Sequence, residues 1–365
     1  MRDPFASLIT AGSGSYAAGD VHVLLQPMHM QATDVLEKER LIQTNRKHYS
    51  EMISTEHAPT GLHKHLYAHA LAQNGARMAA DVQSLALALN AACTGPGIAL
   101  VSFVRAGLPL GVLLRRALAA MGRDVRHYGV SIIRDRGIDT VALEAIIRLH
   151  GAANIVFVDG WTGKGAIAGE LERTLGADER FPGSPRLVVL ADPCGRAWLA
   201  ASAEDWVIPS GVLGATVSGL ISRSIWPAQG GLHGCVIYDH LHAHDVTRAF
   251  IEQIETERGA LGEVPQAAPW SADQRRTLQA EADSVVHALA ARFEIANLNR
   301  VKPGIAEATR AVLRRVPDHV LVRDRGDGDV QLLMHLAERA GVSVEETGSD
   351  LGPYRAVTII RGVNR

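Results

Sequence analysis

Asn154-Ile-Val-Phe-Val-Asp-Gly-Trp-Thr-Gly-Lys-Gly-Ala-Ile-Ala-Gly-Glu170 is the stretch whose reading decides the fold. Ile155 to Val158 is wholly apolar and rich in β-branched residues, which suits a short strand buried on both faces of a parallel sheet. It ends in Asp159. A turn with Gly160, Gly163 and Gly165 follows, holding Trp161, Thr162 and Lys164 between the glycines, and Ala166 to Leu175 is a predicted helix. A strand, a Gly-rich turn and a helix N-terminus together make an anion cradle: backbone N–H groups close around the charge, the Thr162 hydroxyl adds a donor, and the helix dipole favours a negative group. The spacing excludes a Walker loop and the dinucleotide fingerprint. The same residues also read as a plain strand-to-helix turn whose glycines serve geometry alone.

The flanking sequence alternates in the same way. Strands are predicted at Ile98 to Val104, Val125 to Ile133 and Arg186 to Ala191, with helices at Leu110 to Met121 and Thr140 to His150 between them. Strands alternating with helices define an α/β fold with a parallel sheet, and such sheets bind ligands at the carboxyl ends of their strands. Arg105, Arg134, Asp159 and Cys194 all fall just past strand ends. Upstream, His63 to Ala92 reads as a long helix with a break allowed at Gly75. Downstream, Asp192 to Gly234 is rich in Ser, Thr, Gly and Trp and reads as a hood over the site. Gly259 to Trp270 reads as a linker, and Ser271 as the cap of a helix from Asp273 to Phe293.

With 365 residues, 47% hydrophobic, and a formal net charge of −2, the chain has no global basic field, so a nucleic-acid surface must be local. Three widely spaced cysteines, Cys93, Cys194 and Cys235, form neither a disulfide framework nor a metal clip. That usage, with no apolar leader in the sequence, predicts a cytoplasmic protein without a membrane span. The His57, His63, His65, His69 group and the His240, His242, His244 group lack Cys or paired acids at ligand spacing, so neither is a strong metal site. From Asn297 onward the sequence predicts a compact αβαβ module, with a helix over Val301 to Arg315. The excess of Arg between Arg300 and Arg325 there suggests a basic surface for RNA.

Ser102-Phe-Val-Arg-Ala-Gly-Leu-Pro109 and Val158-Asp-Gly-Trp-Thr-Gly-Lys-Gly165 resemble the pyrophosphate and phosphoribosyl-pyrophosphate (PRPP) loops of type I phosphoribosyltransferases. Taken with Tyr128-Gly-Val-Ser-Ile-Ile-Arg-Asp-Arg-Gly-Ile-Asp139, Thr216-Val-Ser-Gly-Leu-Ile-Ser-Arg223 and Leu232-His-Gly234, residues 15–255 resemble the orotate-phosphoribosyltransferase-like proteins of bacterial tellurite-resistance and stress operons. That family is also called StiP or "cysteine protease StiP". The resemblance implies a type I phosphoribosyltransferase-like parallel sheet with helices on both faces and a hood (about 192–234) within residues 1–258. A linker and helix would fill 259–296, and 297–365 resembles a Pelota-like RNA-binding module.

The implied activity is transfer of ribose 5-phosphate between PRPP and a nucleobase-like acceptor, with Mg²⁺ bound alongside PRPP, in making a nucleoside-like metabolite for a stress response. Asp159 would hold the ribose hydroxyls. Gly160, Trp161, Thr162, Gly163, Lys164 and Gly165 would surround the 5′-phosphate, while Arg105, Ala106 and Gly107 meet the pyrophosphate. Arg134 and Arg136 would close over it, and Cys194 and Ser218 would border the base. Asp159, Arg105 and Arg134 would carry the catalysis, in a homodimer. Two alternatives stay open: a cysteine hydrolase using Cys194 with His233, and a non-catalytic nucleotide- or RNA-binding protein.

Overall fold

In the computed structural model, which describes residue 5 and residues 8–362, six strands build one parallel sheet. They are β1 (His22–Val23), β2 (Ile98–Phe103), β3 (Val125–Val130), β4 (Ile155–Val158), β5 (Leu187–Ala191) and β6 (Leu199–Ser202). Their spatial order is β1-β3-β2-β4-β5-β6, and every neighbouring pair is parallel. β2, β4 and β5 are buried at every position, as unbroken apolar strands must be when both faces are covered. Two strands had weak signals. β1 is only two residues long, and β6, Leu-Ala-Ala-Ser, lies inside the predicted hood.

The period of two along each strand sorts its side chains to opposite faces. Leu100, Val156, Val158, Val188 and Leu190 join one core with α2 (Gly61–Ala92) and α3 (Gly107–Ala120). Ala99, Val101, Phe103, Phe157 and Val189 join the other with α4 (Thr140–His150) and α5 (Ala166–Leu175). Helix α1 (Val35–Gln43) precedes them, with the Asp34 carboxylate accepting from the Leu36 and Glu37 N–H groups. α2 runs through Gly75 without a break. A Cβ there would lie 2.6 Å from a Glu257 carboxylate oxygen, so the glycine admits the close approach of α6 (Thr247–Gly259).

The hood is not a free flap. Trp206, Ile208, Val212, Val217 and Ile221 are buried in the same core as α2.

A second sheet lies at the C-terminus: β7 (Val301–Pro303), β8 (Pro317–Val322), β9 (Val344–Glu346) and β10 (Ala356–Ile360), in the order β7-β10-β8-β9. Only β8 and β9 are parallel. The helix predicted over Val301 to Arg315 is shorter. Val301–Pro303 is an edge strand, Pro303-Gly304 turns the chain with Gly304 at φ 88°, and α8 spans Ile305–Arg314. The Asp205 carboxylate from the first sheet's side accepts from the Ile305 N–H at 3.0 Å and the Arg355 N–H at 2.8 Å, so a residue far away in sequence caps α8.

One face of this sheet packs on α7 (Ala272–Arg292), through Val285, Leu289, Tyr354 and Val357. Its other face, with α8 and α9 (Gln331–Arg339), continues into the core that contains α2. Among the described residues, no helix is long and apolar enough to cross a membrane.

Candidate functional site

The carboxyl ends of β2, β3 and β4 open into a cavity of about 300 Å³. Arg105, Ala106, Arg134, Asp159, Trp161, Thr162, Gly163, Lys164 and Gly165 all line it, so the turns singled out in the sequence do meet in one place. The C-terminal module closes the far side with Lys302, Glu307, Arg310, Arg314 and Arg315. α1 and the hood add Lys38 and Arg223. Nine Lys or Arg line the cavity against two acids, Asp159 and Glu307. On a chain of net charge −2 that is a strong local field.

The turn that reads as an anion cradle is already engaged with protein. The Thr162 hydroxyl donates to Asp192 Oδ1 at 2.6 Å. Lys164 Nζ donates to the carbonyls of Leu298 and, at 3.5 Å, Val301, tying the turn to the C-terminal module. Tyr354 adds a hydrogen bond to the Gly163 carbonyl at 3.1 Å. Arg105 follows a cis Val104–Arg105 peptide and is buried. Its guanidinium pairs with Glu56 at 2.7 Å and donates to the Ile221 carbonyl at 2.9 Å.

Glu56 also meets Arg314 at 3.2 Å and accepts from the Ala215 N–H at 2.7 Å. Burial alone would raise its carboxyl, but Arg105 and Arg314 outweigh it and hold the group down at about 2. Burial pushes Asp159 the other way, up to about 7, against the Gly160 N–H it accepts at 2.8 Å.

Other predicted residues lie elsewhere. Gly107 and Gly160 are packing glycines. A Cβ on Gly107 would sit 2.3 Å from the Val158 carbonyl oxygen, and one on Gly160 3.0 Å from that of Ala106. Arg136 stacks over Trp226 at 4.7 Å and pairs with Glu51. Ser218 donates to the Gly214 carbonyl at 2.6 Å.

Cys194 and His233 are not brought together. Cys194 is 1% exposed and packs among α7 side chains and Tyr354, with its thiol 3.7 Å from Asp192 Oδ1. Burial, reinforced by Asp192, pushes this thiol far up. The His233 imidazole instead meets Ser131 Oγ at 2.6 Å and Trp226, while the backbone N–H of His233 donates to Asp139. Burial pushes its ring down.

The two His-rich stretches are also spoken for at three positions. His63 meets the Val212 carbonyl, His240 the Glu56 carbonyl and His244 Lys64. Among the described residues, no group of three or more His, Cys, Asp or Glu gathers as a metal site.

Sequence reasoning missed Lys38, Glu56, Arg223, Lys302, Arg310, Arg314 and Arg315 as parts of this site. A usable signal was the scarcity of lysine: three of the chain's five line the cavity.

Residues 14–255 match the family described as "Tellurite-like stress resistance cysteine protease StiP", and residues 280–362 match the "PELOTA RNA binding domain". The chain belongs to the StiP family. It is similar to "Cysteine protease StiP" of Acinetobacter baylyi, 52% identical over 97% of this chain and 95% of that protein. Among solved structures, a hypoxanthine phosphoribosyltransferase of Trypanosoma cruzi in complex with IMP aligns at 16% identity over 36% of this chain and 67% of that one, with a TM-score of 0.27. A glycine decarboxylase aligns at 12% identity over 99% of this chain and 84% of that one, with a TM-score of 0.24. Neither superposition carries an argument.

The expectation of a phosphoribosyltransferase is overturned by the family and the relative, both of which are named as cysteine proteases. The cleft agrees with the correction. The donors expected on pyrophosphate and 5′-phosphate, Arg105 and Thr162, are spent on Glu56 and Asp192.

Proposed function

We propose that this chain is a stress-resistance cysteine hydrolase of the protease class, with Cys194 as its thiol. The observation that carries the reading is the 52% identity, over nearly the whole chain, to a protein named as a cysteine protease. Among the three cysteines, Cys194 is the one beside the cleft: its neighbour Asp192 accepts the hydroxyl of the cavity-lining Thr162. Cys93 ends α2 ahead of β2, at the opposite end of the strands, and Cys235 is fully buried in a two-residue pairing with Pro27.

A thiol nucleophile works as thiolate, with a base in reach. Here the thiol is covered and protonated, and Asp192 has its oxygens occupied by Thr162, Trp270 and the N–H groups of Arg196 and Ala197. Catalysis in this reading therefore requires the Tyr354 and α7 layer to part from Cys194, admitting water and substrate. The Pelota match supports RNA as a partner of the C-terminal module, a role independent of the thiol.

The test is hydrolysis of an unfolded protein substrate by wild type and by Cys194→Ala, Cys93→Ala and Cys235→Ala. Activity that disappears only in Cys194→Ala supports the reading; activity retained in that variant removes it.

A further inference from the structure

Helix α1 is docked in the reverse sense to the other helices. Its buried side chains are Lys38 and Glu39, while Leu36 stands 67% exposed. Among the described residues, none of Val35, Leu36, Leu41 and Ile42 joins a hydrophobic core cluster. Polar contacts hold the helix instead. Both carboxylate oxygens of Glu39 meet the Arg315 guanidinium, one of them at 2.9 Å. Lys38 Nζ donates to Ser54 Oγ at 2.6 Å, and Gln43 donates to the Arg361 carbonyl at 2.9 Å. Arg315 and Arg361 both belong to the C-terminal module. A helix of nine residues does not persist alone in water, so these contacts decide whether α1 stays in place.

The same helix is part of the cleft wall, where Lys38 and Ile42 line the cavity. The segment carrying α1 is tied at its base, with the Thr33 N–H donating to the Ile53 carbonyl at 2.7 Å. Just past it, Trp226 N–H holds the Ser50 carbonyl, and Arg223 holds those of Tyr49 and Met52. The two ends therefore lie close together, so the helix can swing out without moving what flanks it. Between these ties, Thr44 to Lys47 are exposed, and Asn45 turns the chain at φ 53°. Lys38 works against the docked position. Arg223, Arg315 and Arg314 repel its ammonium, with Glu39 as the acid that opposes them. Burial, then Arg223 and Arg315, push that ammonium down to about 8.

We infer that α1 is a lid on the cleft between the six-stranded sheet and the C-terminal module, latched by Glu39 on Arg315 and opened when that pair parts. Opening removes Lys38 and Ile42 from the cavity wall and takes no apolar side chain out of a core cluster. Elements held in this way open locally at a fraction of the cost of global unfolding. The catch sits on the module, because Arg315 directly follows α8 and Arg361 directly follows β10. Lid closure therefore depends on the module being docked. The inference goes beyond the hydrolase reading and does not depend on Cys194.

The experiment reads helix opening and cleft access separately on the full chain. Amide hydrogen exchange follows α1 against α5 in wild type, Glu39→Gln and the milder Gln43→Ala. Cleft access is read by thiol labelling of Ala311→Cys, a cavity-lining position on α8, with the fully buried Cys235 as the internal control for global unfolding. Expected are α1 amides that exchange at least tenfold faster than those of α5 in wild type, and a further tenfold or greater acceleration of α1 in Glu39→Gln. Ala311→Cys should label at least tenfold faster when combined with Glu39→Gln, while α5 and Cys235 stay unchanged. Gln43→Ala should shift α1 in the same direction by less. The inference is overturned if α1 exchanges as slowly as α5 in wild type, or if α1 accelerates with no change in labelling of Ala311→Cys. A Glu39→Gln protein that does not fold, or that speeds α5 and Cys235 equally, also overturns it, because the pair would then hold the whole fold. A failure of the peptidase assay with Cys194→Ala leaves these measurements untouched.

Discussion

Replacing Glu56 with glutamine removes a charge and little volume, so it isolates what the carboxylate does. Glu56 joins three parts of the chain: Arg105 after β2, Arg314 at the end of α8 and the Ala215 N–H in the hood. Its carboxyl is held at about 2 against an ordinary 4.5. At 1.36 kcal/mol per unit, that difference is worth about 3 kcal/mol of folded-state stability at pH 7. The sign follows from the direction: a depressed acid stabilises the fold above pH 4.5, and the contribution is lost as pH falls through 2. Glu56→Gln should therefore lose about 3 kcal/mol at pH 7, within the range for breaking a buried pair. The gap to wild type should shrink to roughly half by pH 3. Urea unfolding reads this directly, as a drop of about 1 M in midpoint at a slope near 3 kcal/mol per M. An unchanged midpoint at pH 7, or a penalty equally large at pH 3, would refute the argument that Arg105 and Arg314 need this charge.

Three further outcomes are expected. Burial pushes the Asp205 carboxyl up to about 6 from 3.8, so its contribution to stability is fully present below pH 3.8 and is lost as pH rises through 6. Asp205→Asn should flatten that slope, worth about 3 kcal/mol, and speed hydrogen exchange at the start of α8; an unaltered slope between pH 4 and 6 counts against it. Gly107→Ala drives a Cβ to 2.3 Å from the Val158 carbonyl oxygen. A backbone shift in the sheet should follow, lowering stability by about 1–3 kcal/mol or more, and a thermal midpoint equal to wild type would contradict the packing. All three thiols are buried, and burial pushes Cys194 and Cys93 up and Cys235 up to about 12. Folded protein at pH 8 should therefore react slowly with a thiol-titrating disulfide and release three equivalents in urea. Fast labelling of Cys194 in the folded state would show an exposed nucleophile.

The parallel sheet was legible because its signal is local. Runs such as Ile155–Val158 and Leu187–Ala191 are apolar without interruption, and each is followed by a Gly- or Pro-containing turn. β6 was not legible, since Leu-Ala-Ala-Ser carries no β-branched residue and becomes a strand only by pairing with β5. The half of the site built by the turns after β2, β3 and β4 was also readable, because strand ends in such sheets converge. The other half was not. Lys302, Arg310 and Arg314 lie in a run that reads as one helix with a basic solvent face. In the fold, Pro303-Gly304 breaks that run, and the module's docking turns these side chains into the cleft. Periodicity reports which residues share a face, not what the face meets.

That inward turn changes what the Arg-rich segment can do. Lys302, Arg310, Arg314 and Arg315 line the cavity. Arg300 is held by the Ile360 carbonyl, Arg323 by the Gly352 and Tyr354 carbonyls, and Arg325 by the Val344 carbonyl. A surface for RNA on this module must therefore rest on other side chains or on the carbonyl-tethered arginines at its rim. Other contacts tie the module to the first sheet across the boundary. Its core runs without interruption into that of α2, α7 covers its second face, and Asp205 caps its first helix from across the boundary. A fragment of residues 297–365 alone keeps α8 and α9 on one face of the sheet but loses α7 from the other, together with the contacts to α2 and the Asp205 cap, and it should not fold. A 297–365 fragment giving a cooperative thermal transition would refute this account of the boundary, because it would show that the contacts to α2, α7 and Asp205 are dispensable.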